Sequence, residues 1–307
     1  MTTLTRRAFF SVVAGAGALS LAACSTPAST PLVLGCGEPG GSYLEFGQLL
    51  AAATASSTAV SVSPLQSEGS IDNLRLLRER RVDLGLSLVD SAADAADDIV
   101  AIGRVYQNYL QCFVRKDGPV GGVEDLAGRR VSVGAPQSGA ALTARRVLDS
   151  LGLLDGDQAA VVSELYLDEA IAAIEADTVD AIFWSGGLPL PAVQDLDAAV
   201  DLLDLTSALE SLDAEHPGVY TLTAVPASTY GSAEAVPAIG VSNYLLARPD
   251  LPDDVARALV DVLIGDAAKL VPDGSLGVQY LTASNLIDTS PVELHPAAQR
   301  RYRQLYG

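Results

Sequence analysis

A glycine-rich loop between a short apolar strand and a helix is the first stretch whose residue types could do chemistry. A strand is predicted at residues 32–34, four glycines follow within residues 35–41, and a helix is predicted from Ser42. The N–H groups at such a helix start point outward, and the aligned peptide dipoles add partial positive charge there. The stretch therefore predicts a cradle for a carboxylate or a phosphate.

The same arrangement recurs in the middle of the chain. A strand predicted at residues 130–134 leads through the small-residue loop 135–140 into a helix from about Ala140 to Leu151. In parallel α/β sheets, ligands collect beyond the C-terminal ends of the strands. We therefore expect the strand ends of the first half, at residues 35–43, 67–70 and 88–90, to converge on one site.

Enzyme chemistry has weaker support in these residues. Residues 35–40 match GxGxxG after a strand, and a dinucleotide-binding fold would then use an acid at the end of the second strand, here Glu68. Loop 134–139 lacks the Lys-Ser/Thr of a P-loop. Ser138 and Ser185 stand on tight loops, but neither lies in GxSxG. A cofactor-dependent enzyme or a hydrolase is thus the minor alternative.

The histidines and cysteines give no clear metal or catalytic pattern. His216 and His295 lie in separate segments, each beside a proline, and are predicted to be loop or helix-cap residues. No zinc-like spacing occurs, and we predict neither a metal nor a cofactor, although cation binding by Asp and Glu alone stays open. Cys36 and Cys112 could pair or remain buried free thiols, and both readings stay open.

Composition limits the partners. The chain has 307 residues, of which 49% are hydrophobic and 19% charged, which is typical of a folded protein with room for two domains. Its formal net charge of −19 disfavours nucleic acid and anionic membrane surfaces as partners. An anionic ligand must therefore be held by local geometry, because the overall field repels it.

The N-terminus reads as a targeting segment. Arg6-Arg7 begins a twin-Arg signal, residues 11–21 are apolar, and Leu21-Ala22-Ala23-Cys24 resembles a bacterial lipobox. We predict a signal peptide at residues 1–23, lipid attachment at Cys24 and a tether at residues 24–30. The protein would then be exported and anchored to a bacterial membrane by lipid. A plain signal peptide with an incidental Cys24 is the alternative.

The order of predicted elements indicates an α/β fold. Strand, helix, strand, helix, strand covers residues 32–88, with Ser70 as the predicted N-cap of the second helix. Two separate strands are predicted at residues 99–106 and 109–114. A second α/β unit is predicted at residues 130–184, then a loop at 223–230, a strand at 240–247 and helices at 251–270 and 295–306.

An ordered set of motifs resembles the TAXI family of extracytoplasmic solute receptors, the binding proteins of TRAP-type transporters. These motifs are residues 35–47, 67–74 (SEGSIDNL), 82–85, 126–144 (LAGRRVSVGAPQSGAALTA), 183–193 (FWSGGLPLPAV), 224–230, 245–254 and 294–296. The resemblance implies a two-lobed, hinged fold of the periplasmic-binding-protein type (type II-like) with a ligand cleft between the lobes. Lobe 1 would comprise residues 31–113 plus 220–307, and lobe 2 residues 114–219.

The resemblance also implies a function and a set of site residues. Such a receptor is not an enzyme; it captures a small organic acid or amino acid and hands it to a TRAP-type membrane permease. An exported lipoprotein that senses a solute for a signalling partner is the alternative. The implied ligand-binding residues are Gly41, Ser42, Tyr43, Ser70, Asp90, Gln137, Ser138, Gly139, Ala140, Ser185, Gly186 and Gly187.

Three positions depart from the family pattern. Glu38 stands where a small residue is usual, Glu68 where glycine is usual, and Leu88 where glutamine is usual. If they face the ligand, they disfavour a dicarboxylate and favour a ligand with one anionic end and one cationic or apolar end. The two glutamates could equally point to solvent at the cleft rim. Trp184 could set selectivity by stacking on the ligand, as could Tyr43, or either could be buried packing.

Overall fold

The computed structural model describes residues 29–55, 57, 59–194, 196 and 199–306. The predicted signal peptide and Cys24 lie outside the described residues. The strands are β1 (Thr30–Gly35), β2 (Val60–Leu65), β3 (Leu84–Leu88), β4 (Val100–Arg115), β5 (Arg130–Ser132), β6 (Val161–Ser163), β7 (Ala181–Gly186), β8 (Val200–Leu202), β9 (Tyr220–Val225) and β10 (Val236–Ala247). Helices join or follow most of them.

The helices cover the sheet and connect its parallel strands. They are α1 (Ser42–Thr54), α2 (Ser70–Arg78), α3 (Val89–Ala93), α4 (Gly139–Ser150), α5 (Leu167–Glu175), α6 (Pro191–Gln194), α7 (Thr206–Glu215), α8 (Asp253–Gly265), α9 (Ala283–Leu286) and α10 (Pro296–Tyr306). Two 3-10 turns lie at Val123–Leu126 and Ala267–Leu270. In the described chain, no helix is long and apolar enough to cross a membrane.

One mixed sheet of ten strands contains two parallel units. Its main order is β2-β1-β3-β10-β4-β7-β5-β6, with β8 beside β4 and β9 beside β10. At one end β1 is parallel to β2 and β3, and at the other β5 is parallel to β6 and β7. The first unit is thus β1-α1-β2-α2-β3 and the second β5-α4-β6-α5-β7. Both α/β units predicted from the sequence are confirmed.

The two long antiparallel strands β4 and β10 connect these units. The first part of β4 pairs with β10, whereas Tyr109–Val114 pairs with β7. The prediction of two strands at 99–106 and 109–114 is therefore wrong, because β4 is continuous. Gln107 and Asn108, which the prediction left between the two strands, are buried in mid-strand. Asn108 bonds the Ser185 carbonyl oxygen and Asn243 Nδ2, and Gln107 Oε1 accepts from the Tyr280 hydroxyl, so both polar side chains have partners there.

Three smaller expectations need correction. Ser70 is the first residue of α2, and Gly69 is the N-cap. The predicted loop 223–230 begins inside β9, which pairs with β10. The predicted long helix 251–270 ends at Gly265 and continues as a 3-10 turn. Pairing with β10 decides the conformation of residues 223–225, whereas the other two differences concern the exact ends of helices.

Asn73 holds the site end of the first unit together. Its side-chain Nδ2 donates to the carbonyl oxygens of Cys36 (2.6 Å) and Leu86 (2.8 Å), so α2 is tied to the ends of β1 and β3. A Cβ at Gly35 would overlap the Asn73 side chain, so glycine is needed there. These bonds keep the glycine-rich loop in place beside the start of α1.

Both remaining cysteines are buried free thiols. Burial raises the pKa of Cys36 to about 12 and also raises the pKa of Cys112. Of the two readings left open by the sequence, the structure therefore supports free thiols. Among the residues that the structure describes, no group of three or more His, Cys, Asp and Glu side chains could hold a metal ion.

Candidate functional site

A small cavity of about 50 Å³ lies between the two parallel units, where the starts of α1 and α4 face each other. Eight of the predicted ligand-binding residues line it: Gly41, Ser42, Tyr43, Ser70, Ser138, Gly139, Ala140 and Ser185. The four proposed selectivity residues, Glu38, Glu68, Leu88 and Trp184, line it as well. Sequence motifs more than a hundred residues apart thus meet at one place.

The start of α1 forms the first wall. Gly41 is the N-cap, and the N–H groups of Ser42 and Tyr43 donate to no other described residue. The Tyr43 hydroxyl lies 3.0 Å from the Ser70 hydroxyl, which in turn accepts from the Leu88 N–H at 3.1 Å. Burial raises the pKa of Tyr43 well above its usual value. This wall therefore presents neutral hydroxyls and backbone donors.

The start of α4 forms the opposite wall. Ser138 is the N-cap, and its hydroxyl oxygen accepts from the Ala141 N–H at 3.0 Å. Within the described residues, the N–H groups of Gly139 and Ala140 have no acceptor. A Cβ at Gly139 would overlap the Ser70 hydroxyl and Leu88, so only glycine permits this close approach of the units.

Gln137 contributes its backbone to the contact between the units. Its φ is +58°, and its carbonyl oxygen accepts from the N–H groups of Ile71 (3.1 Å) and Asp72 (3.2 Å). These donors belong to the first turn of α2. They are occupied by the second unit and not free for a ligand. Gln137 does not line the small cavity.

Gly37, Gly69 and Asn108 line the cavity but were not predicted, and Asn108 is the one of these three with a polar side chain. Its Nδ2 donates to the Ser185 carbonyl oxygen at 3.2 Å, and its Oδ1 accepts from Asn243 Nδ2 at 2.8 Å. Asn108 lies at the point where β4 passes from one unit to the other. The available signal was the adjacent polar pair Gln107-Asn108, which the prediction left between two separate strands.

Asp90 lies behind the cavity and does not line it. Its carboxylate is fully buried and accepts from the hydroxyls of Thr143 (2.6 Å) and Tyr220 (3.1 Å). The Tyr220 hydroxyl also accepts from Arg146 at 3.2 Å. Burial raises the pKa of Asp90. Asp90 thus connects α3 to α4 and β9, because α3 turns its side chain away from the strand end.

Glu38 and Glu68 accept hydrogen bonds from residues on the opposite side of the cleft. Glu38 Oε2 accepts from the Leu167 N–H at 2.9 Å, at the start of α5, and Glu68 Oε1 accepts from the Tyr166 hydroxyl at 3.1 Å. Burial raises the pKa of Glu38, and the nearby Asp168 and Glu169 add to the effect. The sequence suggested two possibilities for these glutamates: contact with the ligand, or exposure to solvent at the cleft rim. Neither described hydrogen bonds to the opposite side of the cleft.

Gly186 and Gly187 line a second cavity of about 320 Å³ beside the first. Ser42 and Trp184 line both cavities. Ser42 and Trp184 therefore lie between the two cavities. A Cβ at Gly186 would come within 2.7 Å of Trp184 Nε1, so glycine leaves room for the indole edge.

Neither histidine is near Ser138 or Ser185. His295 Nδ1 accepts from the Ala297 N–H at 3.1 Å, and His295 Nε2 lies 2.9 Å from the Leu251 carbonyl oxygen, which confirms the predicted cap role at α10. His216 packs against Tyr220, with ring centroids 6.0 Å apart. No histidine is among the described residues around either cavity, so neither serine there has a general base of this kind.

A model of the NMT1-like family matches residues 34–304, and the chain belongs to this family. Among solved structures, a protein from Bordetella bronchiseptica RB50 is 13% identical with a TM-score of 0.56, covering 91% of this chain and 99% of that one. The protein XAC2383 from Xanthomonas citri, solved bound to ATP, is 14% identical with a TM-score of 0.51, covering 90% and 96%.

The periplasmic aliphatic sulphonate binding protein SsuA from Escherichia coli is also similar, at 15% identity and a TM-score of 0.46, covering 90% of this chain and 84% of that one. The predicted fold class is confirmed: the protein has a two-lobed α/β fold of the periplasmic-binding-protein type.

Proposed function

We propose that this protein is a solute receptor that captures a small organic acid or amino acid between its two lobes. One observation carries the proposal: the starts of α1 and α4 face each other across a cavity, with four N–H groups that no described residue accepts from. Helix N-termini bind carboxylates through these donors and through the helix dipole. Their arrangement supports binding and offers no catalytic group.

The charges around the cavity favour a ligand with a single anionic group. No Lys or Arg is among the described residues that line it, so nothing there pairs with a second carboxylate. The two acids in its wall, Glu38 and Glu68, accept bonds from the opposite lobe. A neutral, cationic or apolar group is the better match for the rest of the ligand, as the departures from the TAXI pattern also suggest.

The receptor would serve a TRAP-type permease, an inference that rests on the TAXI resemblance. Export by the twin-Arg signal and lipid attachment at Cys24 would place it at a bacterial membrane surface. We place the lobe crossings within β4 and β10, near Asn108 and Asn243, because β4 changes partner there. The boundaries from the resemblance lie about 5 residues from Asn108 (113/114) and about 23 residues from Asn243 (219/220).

Thermal unfolding of residues 25–307 against a panel of amino acids and organic acids tests the proposal. A ligand at 100 times its Kd stabilises the native state by about 2.7 kcal/mol, which raises Tm by about 5–10 °C in a domain of this size. No rise with any acid, together with turnover of an ester or a nicotinamide substrate, would overturn it.

Gly139→Ala is the variant that tests the closed site. Its Cβ would overlap Ser70 and Leu88, so the ligand-dependent rise in Tm should be lost. Gly265→Ala is the matched control, because a Cβ there meets nothing within 4 Å and the residue has no positive φ. The control should keep the full rise. An undiminished rise in Gly139→Ala would show that the ligand binds elsewhere.

A further inference from the structure

Asp90 is the most deeply buried acid in the described part of the chain, and it does not line the cavity. Its Oδ1 accepts from the Ser91 N–H at 2.6 Å, and its Oδ2 accepts from the hydroxyls of Thr143 at 2.6 Å and Tyr220 at 3.1 Å. Both carboxylate oxygens have partners, so the side chain is held in a fixed orientation. The partner nearest to the cavity is Thr143, because it lies in the second turn of α4.

Two polar pairs join α3 to α4, one helical turn apart. Asp90 accepts from Thr143, and Asp94, the C-cap of α3, accepts from Arg146 at 3.2 Å. The Tyr220 hydroxyl lies between the pairs, since it donates to Asp90 and accepts from Arg146 at 3.2 Å. Because α3 follows β3 of the first unit and α4 follows β5 of the second, these pairs join the two units behind the cavity.

Thr143 also contacts the first residue of α4. Its Oγ1 lies 2.9 Å from the carbonyl oxygen of Gly139, four residues earlier in the helix. That carbonyl belongs to the same peptide unit as the N–H of Ala140, one of the cavity N–H groups without an acceptor in the described chain. A planar peptide moves as one body, so a contact at its oxygen also restrains the direction of its N–H. One side chain thus connects Asp90 to a donor of the cavity.

The start of α4 has little room to shift. A Cβ at Gly139 would overlap the Ser70 hydroxyl and come within 2.7 Å of Leu88 Cδ1. Leu88 is the N-cap of α3, and Asp90 lies two residues further along the chain. The segment 88–90 therefore meets α4 twice, with an apolar side chain beside Gly139 and with a carboxylate at Thr143. A movement of α4 that breaks these contacts would change the distance between the N–H groups of α1 and α4.

We propose that Asp90 is a positioning residue of the carboxylate site: through Thr143 it holds the start of α4 against the first unit, without touching the ligand. The ligand group rests on the proposed function, whereas the link from Asp90 through Thr143 to Gly139 rests on the geometry alone. A carboxylate is costly to bury, and an apolar pair of similar volume would fill the space without that cost. An apolar pair would not fix the rotation of α4 about its axis, which a directed hydrogen bond does.

The sequence supplies a reporter for the start of α4. Ser-Gly occurs at residues 138–139 and 185–186 and nowhere else in the chain. Cell-free synthesis of residues 25–307 with carbonyl-¹³C serine and ¹⁵N glycine therefore gives two carbonyl-coupled amide signals in the NMR spectrum, those of Gly139 and Gly186. Gly139 reports on α4 with or without ligand, and Gly186, at the end of β7, is the internal reference. Acetate, which carries only the carboxylate, is the probe, and its titration of the Gly139 signal gives its affinity.

Thr143→Val and Asp90→Ala each break the link. The first keeps the shape of the side chain and removes its hydroxyl, and the second removes the carboxylate. Each should shift the Gly139 signal, leave the Gly186 signal in place and weaken acetate binding about 3- to 10-fold, as expected for one misplaced hydrogen bond. Since both changes break the same link, the double variant should bind acetate no more weakly than the weaker single variant.

Two conservative variants and a distant control separate positioning from general destabilisation. Thr143→Ser keeps the hydroxyl, and Asp90→Asn keeps a side chain that can bond it, so both should retain most of the acetate affinity. Tyr302→Phe removes a buried hydrogen bond on α10, from the Tyr302 hydroxyl to the Ile102 carbonyl oxygen at 2.9 Å. It should lower the Tm and leave the acetate affinity and the Gly139 signal unchanged.

The outcomes for acetate decide the proposal. Unchanged affinity in Thr143→Val and Asp90→Ala, additive losses in the double variant, or an equal loss in Tyr302→Phe would overturn the positioning role. If Thr143→Val does not fold, Asp90→Ala is compared with the double variant, which leaves no buried carboxylate without its partner. Equal affinities of those two variants support the role, and a weaker double variant overturns it.

The Gly139 signal distinguishes this proposal from the proposed function. If acetate does not move the wild-type signal, the carboxylate site is refuted, and the signal of the ligand-free protein then decides the role of Asp90. A shift caused by Asp90→Ala in the wild-type background and not in the Thr143→Val background supports the link. The same shift in both backgrounds overturns it, because Asp90 would then act on α4 without Thr143.

Discussion

At the scale of single residues, the Ser70 hydroxyl is the central polar group of the cavity. It accepts from the Leu88 N–H, lies within hydrogen-bond distance of the Tyr43 hydroxyl, and would be touched by any side chain at Gly139. Ser70 is fully buried. One side chain thus positions parts of α1, α2 and β3 and also sets how closely the second lobe can approach.

Ser70→Ala should destabilise the protein. The Leu88 N–H and the Tyr43 hydroxyl would both lose a buried partner, which costs about 1–3 kcal/mol in the free energy of unfolding. Urea unfolding measures the change. Ser211→Ala, at an exposed position of α7, is the control and should be neutral or slightly stabilising because alanine favours helix. Equal effects of both substitutions would contradict the role of Ser70.

At the scale of elements, hydrogen bonds between the start of α5 and the two glutamates Glu38 and Glu68 hold the outer side of the cleft closed. Glu38 caps the N–H of Leu167, and Glu68 binds the hydroxyl of Tyr166. A carboxylate at a helix N-terminus is favourable, but Glu38 is also half-buried and near Asp168 and Glu169. Burial raises the pKa of Glu38 despite the helix start, so the contact should depend on pH.

The pH dependence of Glu38 has a definite sign. Its pKa is raised above 4.5 in the folded state, so the folded protein binds this proton more tightly than the unfolded chain does. The contribution of Glu38 to stability is therefore full at low pH and is lost as pH rises from about 4.5 through the raised pKa. Glu38→Gln keeps an acceptor for the Leu167 N–H and removes the titration.

The free energy of unfolding, measured from pH 4 to pH 7, tests this expectation. Wild type should lose stability relative to Glu38→Gln as pH rises across that window. Glu215→Gln, at an exposed position of α7, serves as the control and should follow the wild-type profile. A constant difference between wild type and Glu38→Gln over the whole range would contradict the interpretation.

At the scale of the whole molecule, β4 and β10 join the two units of the described sheet. β10 pairs with β3 of the first unit, β4 pairs with β7 of the second, and the two strands pair with each other. The buried amides Asn108 and Asn243 bond each other where the strands pass between the lobes. Contacts that cross the cleft, such as Gln137 with α2, are separate from these strands. The lobes could therefore separate at the cleft while the strands act as the hinge.

Small-angle scattering tests the hinge. A compact closed form of residues 25–307 should have a radius of gyration of about 19 Å. We expect this value with bound ligand, a larger value without it, and a larger value in Gly139→Ala under both conditions, because the added Cβ blocks approach of the lobes. Identical radii with and without ligand in the wild type would contradict closure on ligand.

The sequence by itself determined the local units. The strand–glycine–helix pattern predicted where α1 and α4 begin, and it placed Gly41–Tyr43 and Ser138–Ala140 at helix starts. Such patterns are readable because strand alternation, turn glycines and helix caps act over a few neighbouring residues. The rule for parallel strand ends predicted that residues 35–43, 67–70 and 88–90 meet, whereas the meeting of α1 with α4 was implied only by the resemblance.

Only the tertiary structure decided which side chains face the cavity and which bind the opposite lobe. Asp90 turns back to Thr143, Glu38 reaches Leu167, and Asn108 enters the cavity from the middle of a continuous strand. The partner in each case lies 53 or more residues away, as in Thr143 for Asp90 and Ser185 for Asn108. Burial and hydrogen-bond satisfaction select such pairs, and they act only once the elements have packed.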